Sequence, residues 1–210
     1  MPGIDNFEAF IVAGILLNLT PGSDTIYILA RSIGQGKKAG YYSVFGIVSG
    51  AVIHTIFASL GLSAILATSA IAYNVVKWLG VSYLVYLGVK ILLDKKSVFN
   101  LDTNVYRSQS LKRIYHQGFI TNLLNPKVAL FYLSFLPQFV SAENTYGALP
   151  FLILGLTFMT TGTIWCLFLA YASSFLTQTL RSNSVISKIL QKISGFIFIC
   201  LGVKLVLGER

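Results

Sequence analysis

Charge is scarce in this chain, and acidic charge scarcest of all. Only 7 of 210 residues are Asp or Glu, against 16 Lys or Arg, while 55% are hydrophobic and 11% charged. A soluble domain carries about 25% charged residues, so this composition cannot supply a surface for water and points to an integral membrane protein. Cysteine is nearly missing: Cys166 and Cys200 stand singly within apolar runs, with no CxxC pair, and are read as packing residues. That argues against a thiol-redox carrier. Away from their ends the spans hold one His and one clear carboxylate, too few for a metal cage. HExxH, GxSxG and paired catalytic carboxylates are all lacking, so neither an enzyme nor a cofactor is expected. No stretch has the form of a cleaved leader, because the first apolar run follows Asp5 and continues past Pro21.

What is present is a set of six long apolar runs: Phe7 to Ala30, Tyr41 to Leu66, Val75 to Leu93, Ile114 to Val140, Leu149 to Leu176 and Ile186 to Leu207. Each is long enough to cross a hydrocarbon core of about 30 Å. They are too continuously apolar for barrel strands and must be helical. The net charge of +9 lies in the gaps between them. Arg31, Lys37 and Lys38 fall in one gap, Lys95, Lys96, Arg107, Lys112 and Arg113 in another, and Arg181, Lys188 and Lys192 in a third. Such alternation is the positive-inside pattern and not a nucleic-acid patch. It places those three gaps in the cytoplasm, and both termini, with Ala67–Asn74 and Ser141–Gly147, outside.

Two of the runs are broken near their middles. Asn18-Leu19-Thr20-Pro21-Gly22-Ser23-Asp24 interrupts the first and Thr121-Asn122-Leu123-Leu124-Asn125-Pro126-Lys127 the fourth. A charge at mid-span costs about 2.5–3.5 kcal/mol, and a proline removes a helix hydrogen bond. Accepting both costs twice suggests that the breaks hold something. At the first, Pro21 and Gly22 permit a bend, after which Ser23 and Asp24 suit the start of a second half-helix whose free N–H groups attract an anion. A plain proline kink with Asp24 capping locally is the alternative. At the second, Asn122 and Asn125 lead to Pro126 and Lys127; the lysine either snorkels to an interface or faces the cavity that the two breaks would share. Opposite charges suit an amino acid, its carboxylate at Lys127 and its ammonium at Asp24; the alternative is that the two simply pair with each other. Loss of the lysine's support when substrate binds would give Asp24 a route to protonation.

His54 continues the series Gly46, Gly50, His54 and Ala58, a small-residue face for close helix contact. It is read as a packing residue bonded across that contact or, alternatively, as a proton relay; no partner in the second half is evident. Gly155 and Gly162 are read as close-packing positions. Of the aromatic residues, Trp78, Tyr83, Tyr86, Phe131, Tyr132, Phe135 and Phe139 are expected mostly at lipid or at the interfaces.

The halves are alike. Gly14 to Pro21 aligns with Gly118 to Pro126 with one residue inserted, and Lys77-Trp78-Leu79-Gly80 with Leu87-Gly88-Val89-Lys90 aligns with Lys192-Ile193-Ser194-Gly195 and Leu201-Gly202-Val203-Lys204. Three spans per half make the repeat inverted, as in many secondary transporters. The expected fold is therefore an all-α membrane protein of six transmembrane helices in two inverted three-helix repeats, residues 1–94 and 113–210. The first and fourth helices are broken at proline, and a cytoplasmic linker, residues 95–112, joins the halves.

Asn125-Pro126-Lys127-Val128-Ala129-Leu130-Phe131, followed by Phe135-Leu136-Pro137-Gln138-Phe139, resembles the NPK and FLPQF segment of the LysE/RhtB family of amino-acid exporters. Asn18-Leu19-Thr20-Pro21-Gly22 is similar to that family's NxxPG motif, and Leu87-Gly88-Val89-Lys90 to its third-helix ending. The resemblance covers essentially the whole chain. It implies proton-driven export of amino acids across a bacterial inner membrane, with Asn18, Pro21, Gly22, Asn125, Pro126 and Lys127 as family-typical positions. Where relatives often read PGP, this chain has Ser23 after Gly22, so no relative's substrate transfers. Asp24, Asn122 and His54 are added to the site on their chemistry alone, Asp24 and His54 for proton coupling. The expected partners are an amino acid or close derivative, protons and the lipid bilayer, and small-residue faces permit a homodimer. Export of another small ion or metabolite, and a non-transporting membrane scaffold, remain the competing readings.

Overall fold

The computed structural model describes residues 3–64, 70–93, 108–141 and 143–182, together with 192–193, 195–196, 199–200 and 203. Most of the run Ile186 to Leu207, most of the linker 95–112 and residues 67–69 lie outside the described residues. Within them all regular structure is helical, apart from a single bridge between Ile4 and Val140.

The first run is two helices, α1 (Phe7–Leu19) and α2 (Ser23–Gln35), bent by 48° at Thr20-Pro21-Gly22. Helix α3 (Lys37–Phe57) passes into a π turn at Ala58–Leu62, and α4 (Ala70–Leu93) fills the third run. The fourth run is again broken. Helix α5 (Leu111–Leu123) meets α6 (Pro126–Leu130), which continues through a π turn at Phe131–Phe135 and a 3-10 turn at Leu136–Phe139, with a bend of 44°. Helix α7 (Leu149–Ser182) follows. Among the described residues two stretches, Lys37–Leu62 and Leu149–Ser173, are long and apolar enough to cross a membrane, or four if each bent pair is one span.

Both breaks follow from their residues. Pro21 has no N–H to continue the ladder of α1, and Gly22 lies extended as the N-cap of α2. In the second, Pro126 occupies the first turn of α6, where its missing N–H costs nothing, and the Asn125 side chain caps that turn by accepting from the Lys127 N–H at 3.0 Å.

The first run does not end at Ala30 as its charge suggests. Helix α2 continues to Gln35 and stops at Gly36, whose φ of 83° suits only glycine. Arg31 consequently lies within α2 and is buried, 3% exposed, instead of standing in a gap between helices. Its guanidinium donates to Gln35, Gln109 and Gln117, while the Tyr27 hydroxyl donates to the Ile114 carbonyl and Gln117. Tyr27, Arg31 and Gln35 recur every four residues, so one face of α2 is stitched to α5 by long polar side chains. Removing two of those bonds with Gln117→Ala is expected to destabilise the protein by about 1–3 kcal/mol. Thermal unfolding in detergent measures it, and an unchanged midpoint would mean that the seam contributes nothing.

At the opposite end Phe10, Phe131, Phe135 and Phe139 are buried ring against ring, with Tyr132 and Phe151 in the same cluster. The expectation that these fourth-run aromatics face lipid is corrected, since the turn of the backbone after Pro126 directs them inward. Trp78 and Tyr86 are exposed, as expected. Backbone bonds from Asp5 to Phe139 and from Ser141 to Gly3 put the amino-terminal segment beside the end of the fourth run.

Candidate functional site

Helices α3 and α5 meet backbone to backbone. A Cβ on Gly46 would run into the Tyr115 carbonyl oxygen, and one on Gly50 would come within 2.7 Å of Asn122 Oδ1. Helices α7 and α1 also cross closely, through side chains. Phe158 lies over Gly14, and a Cβ on Gly162 would come within 3.0 Å of Asn18 Oδ1. Each broken helix therefore offers a glycine and an asparagine one turn apart to an unbroken helix from the opposite half of the chain.

These crossings bring both breaks to one cavity of about 50 Å³, room for only a few waters. Asn18, Asp24, Asn122 and Lys127 line its polar side, with Thr25 and Thr163. Asp24 does not cap its own helix: the N-cap of α2 has no side-chain bond, and Asp24 Oδ2 accepts from Asn122 Nδ2 at 2.8 Å. Lys127 does not snorkel to an interface. Its ammonium crosses to the carboxyl end of α1 and donates to the carbonyls of Thr20 at 2.9 Å and Leu17 at 3.2 Å, where the helix dipole favours a cation. The lysine stem passes over Gly22, where a Cβ would already touch Nζ at 3.4 Å. Asp24 and Lys127 thus face one space, and among the described residues no ion pair joins them directly. Asn18 donates to Thr161 Oγ1 at 3.0 Å and more weakly to the Phe158 carbonyl.

The remaining expected residues stand behind this wall. Pro21, Asn125 and Pro126 set the two bends and do not line the cavity. His54 is half-buried; its Nε2 lies 3.2 Å from the Asn122 carbonyl, and its ring stacks on Tyr132 at 5.7 Å. It has a partner in the second half after all, one that side-chain comparison cannot reveal because it is a backbone oxygen. The Tyr132 hydroxyl in turn bonds Thr55 Oγ1 at 2.8 Å and the Gly155 carbonyl.

The apolar side was not foreseen. Ile47, Val48 and Ala51 from α3, Val128 from α6, and Phe158, Met159, Trp165 and Cys166 from α7 complete the lining. The signal available was the cluster Thr160-Thr161-Gly162-Thr163, a polar patch in the fifth run directly before Trp165 and Cys166.

Comparison with known proteins places the chain in a family. A protein-family model described as LysE type translocator matches residues 15–209. The chain is 34% identical over 204 residues to the uncharacterized membrane protein YrhP of Bacillus subtilis, covering 93% of this chain and 96% of YrhP. It is 30% identical over 206 residues to the leucine efflux protein of Salmonella typhimurium, covering 97% and 95% of the two chains. The leucine efflux protein of an Enterobacter species is similar to the same degree, with 97% and 96% covered. No solved structure matches the chain. The matched segment takes in both breaks and every residue that lines the cavity, and the chain belongs to the LysE-type translocator family.

Proposed function

We propose that the protein is a secondary transporter that exports amino acids with apolar side chains from the cytoplasm. The observation that carries this reading is the pair of opposite charges, Asp24 and Lys127, brought from two broken helices to one cavity without an ion pair between them. A zwitterion completes both. Its ammonium meets Asp24 and its carboxylate meets Lys127, each flanked by a carboxamide, Asn122 and Asn18. The side chain lies against Ile47, Val48, Ala51 and Met159, a wall that suits leucine and offers nothing to a second charge. The relatives named as leucine efflux proteins support the same class. Pro21, Gly22, Asn125 and Pro126 serve by holding the half-helices apart.

The six-span architecture in two inverted repeats, residues 1–94 and 113–210 around a cytoplasmic linker, is part of the proposal. The matched crossings of Gly50 on Asn122 and of Gly162 on Asn18 support it, as does the nearness of Gly3 and Ser141, which suits both lying outside. Since a branched amino acid is larger than a few waters, the cavity must open. The hydrogen-bonded seam of α2 on α5 closes the end nearest the basic gap, and the aromatic cluster closes the other. Alternating access parts one and then the other. Protons drive the cycle: a zwitterion has no net charge for the membrane potential to act on, whereas each proton entering contributes about 2.3 kcal/mol per 100 mV. Asp24 carries the proton, with His54, behind Asn122, on its path.

The test is efflux of labelled amino acids from right-side-out proteoliposomes. Leucine, isoleucine and phenylalanine are expected to leave, faster with acid outside, while lysine and glutamate stay. If none of the panel moves, export of amino acids is wrong; if all move alike, the apolar wall does not select.

A further inference from the structure

Two residues that line the cavity carry a buried polar atom with no partner, Asn122 through Oδ1 and Trp165 through its indole N–H. The asparagine oxygen is covered by α3 at Gly50, where the helices touch. The indole has no comparable explanation. An N–H withdrawn from water without an acceptor carries its whole desolvation cost, and a buried tryptophan ordinarily finds a partner for it. The Trp165 ring is also held in place, stacked on Phe168 at 5.6 Å with 27° between the planes. A fixed donor without an acceptor, on the wall of a cavity that has its own cation, is arranged for an anion that arrives from outside the protein. Lys127 has the complementary shortage, since two of its three ammonium protons already serve Leu17 and Thr20.

We infer that Trp165 is a substrate-binding residue whose Nε1–H donates to the carboxylate of the transported amino acid, beside the remaining N–H of Lys127. The inference rests on the amino-acid reading above and adds a residue to it. It also divides the labour at that end of the substrate: the lysine supplies charge, while the indole supplies direction.

The experiment compares wild type with Trp165→Phe, which keeps an aromatic wall and removes the donor. For leucine exchange KM is expected to rise about tenfold, with maximal rate within twofold. Isoamylamine, leucine without its carboxylate, is expected to compete equally well against both proteins. An unchanged KM, or equal weakening toward leucine and isoamylamine, overturns the assignment and leaves Trp165 as part of the wall. Because the chain has two tryptophans, Trp78→Phe leaves Trp165 as the sole reporter in a protein that needs no change at the site. Its emission is expected to shift with leucine and not with isoamylamine; no shift at saturating leucine overturns the assignment even if Trp165→Phe fails to fold. Absence of amino-acid exchange by wild type is a different failure, which removes the export reading first.

Discussion

The Asp24→Asn variant is expected to fold as wild type and to bind amino acids roughly ten- to a hundredfold more weakly. The substitution is nearly isosteric, and a carboxamide oxygen can take over the bond that Asp24 Oδ2 accepts from Asn122. Only the charge is lost. A hydrogen bond to a charged group contributes about 1.5–3 kcal/mol, and each 1.4 kcal/mol is a factor of ten in affinity. Two outcomes separate the two roles proposed for this residue. If affinity falls, Asp24 holds the ammonium; if affinity is kept but acid outside no longer speeds efflux, it carries the proton. Wild-type behaviour in both would remove Asp24 from the mechanism. Lys127→Ala is less clean, because it also strips the carbonyls of Leu17 and Thr20 of their donor and loosens the first break.

Gly46→Val should do the most damage to folding. The new Cβ would meet the Tyr115 carbonyl oxygen and, at 2.8 Å, the Phe119 nitrogen. Both are backbone atoms of α5, which cannot swing aside as a side chain can. Overpacking of a close-packed contact costs about 1–3 kcal/mol when neighbours adjust, and here the adjustment is a shift of a whole helix that carries Asn122. The expected result is loss of monodisperse protein on size exclusion, or a large fall in melting temperature. Gly61→Ala is the control, since nothing lies within 4 Å of the added methyl. If both variants behave alike, α3 and α5 are not in the close contact described.

What the sequence discloses and what it conceals divide along a physical line. Proline, glycine and intramembrane charge are local penalties, so the bends at Pro21 and Pro126 are legible from Asn18 to Asp24 and from Asn122 to Lys127. Facing is not legible. A helix that is apolar all round gives no sign of which side meets protein, and so Phe131, Phe135 and Phe139 were assigned to lipid and are core. Arg31 reads as a gap residue for the same reason: two of its three acceptors, Gln109 and Gln117, lie far along the chain, and none carries a charge. Cys166 reads as a packing residue and Trp165 attracts no reading at all, because the residues that join them at the cavity lie far away in sequence.

The exchange of partners between halves bears on how the molecule is made. The glycine face of α3 is completed by Tyr115, Phe119 and Asn122, and the Gly14–Asn18 face of α1 by Phe158 and Gly162. A ribosome that has delivered residues 1–94 to the membrane has delivered neither complement. The nascent first half must wait with its small-residue surfaces uncovered, and with Asp24 in an apolar setting, until α5 and then α7 emerge. Helices of this kind are inserted singly and assembled late, and the two halves made as separate chains should recover one another in the same cell.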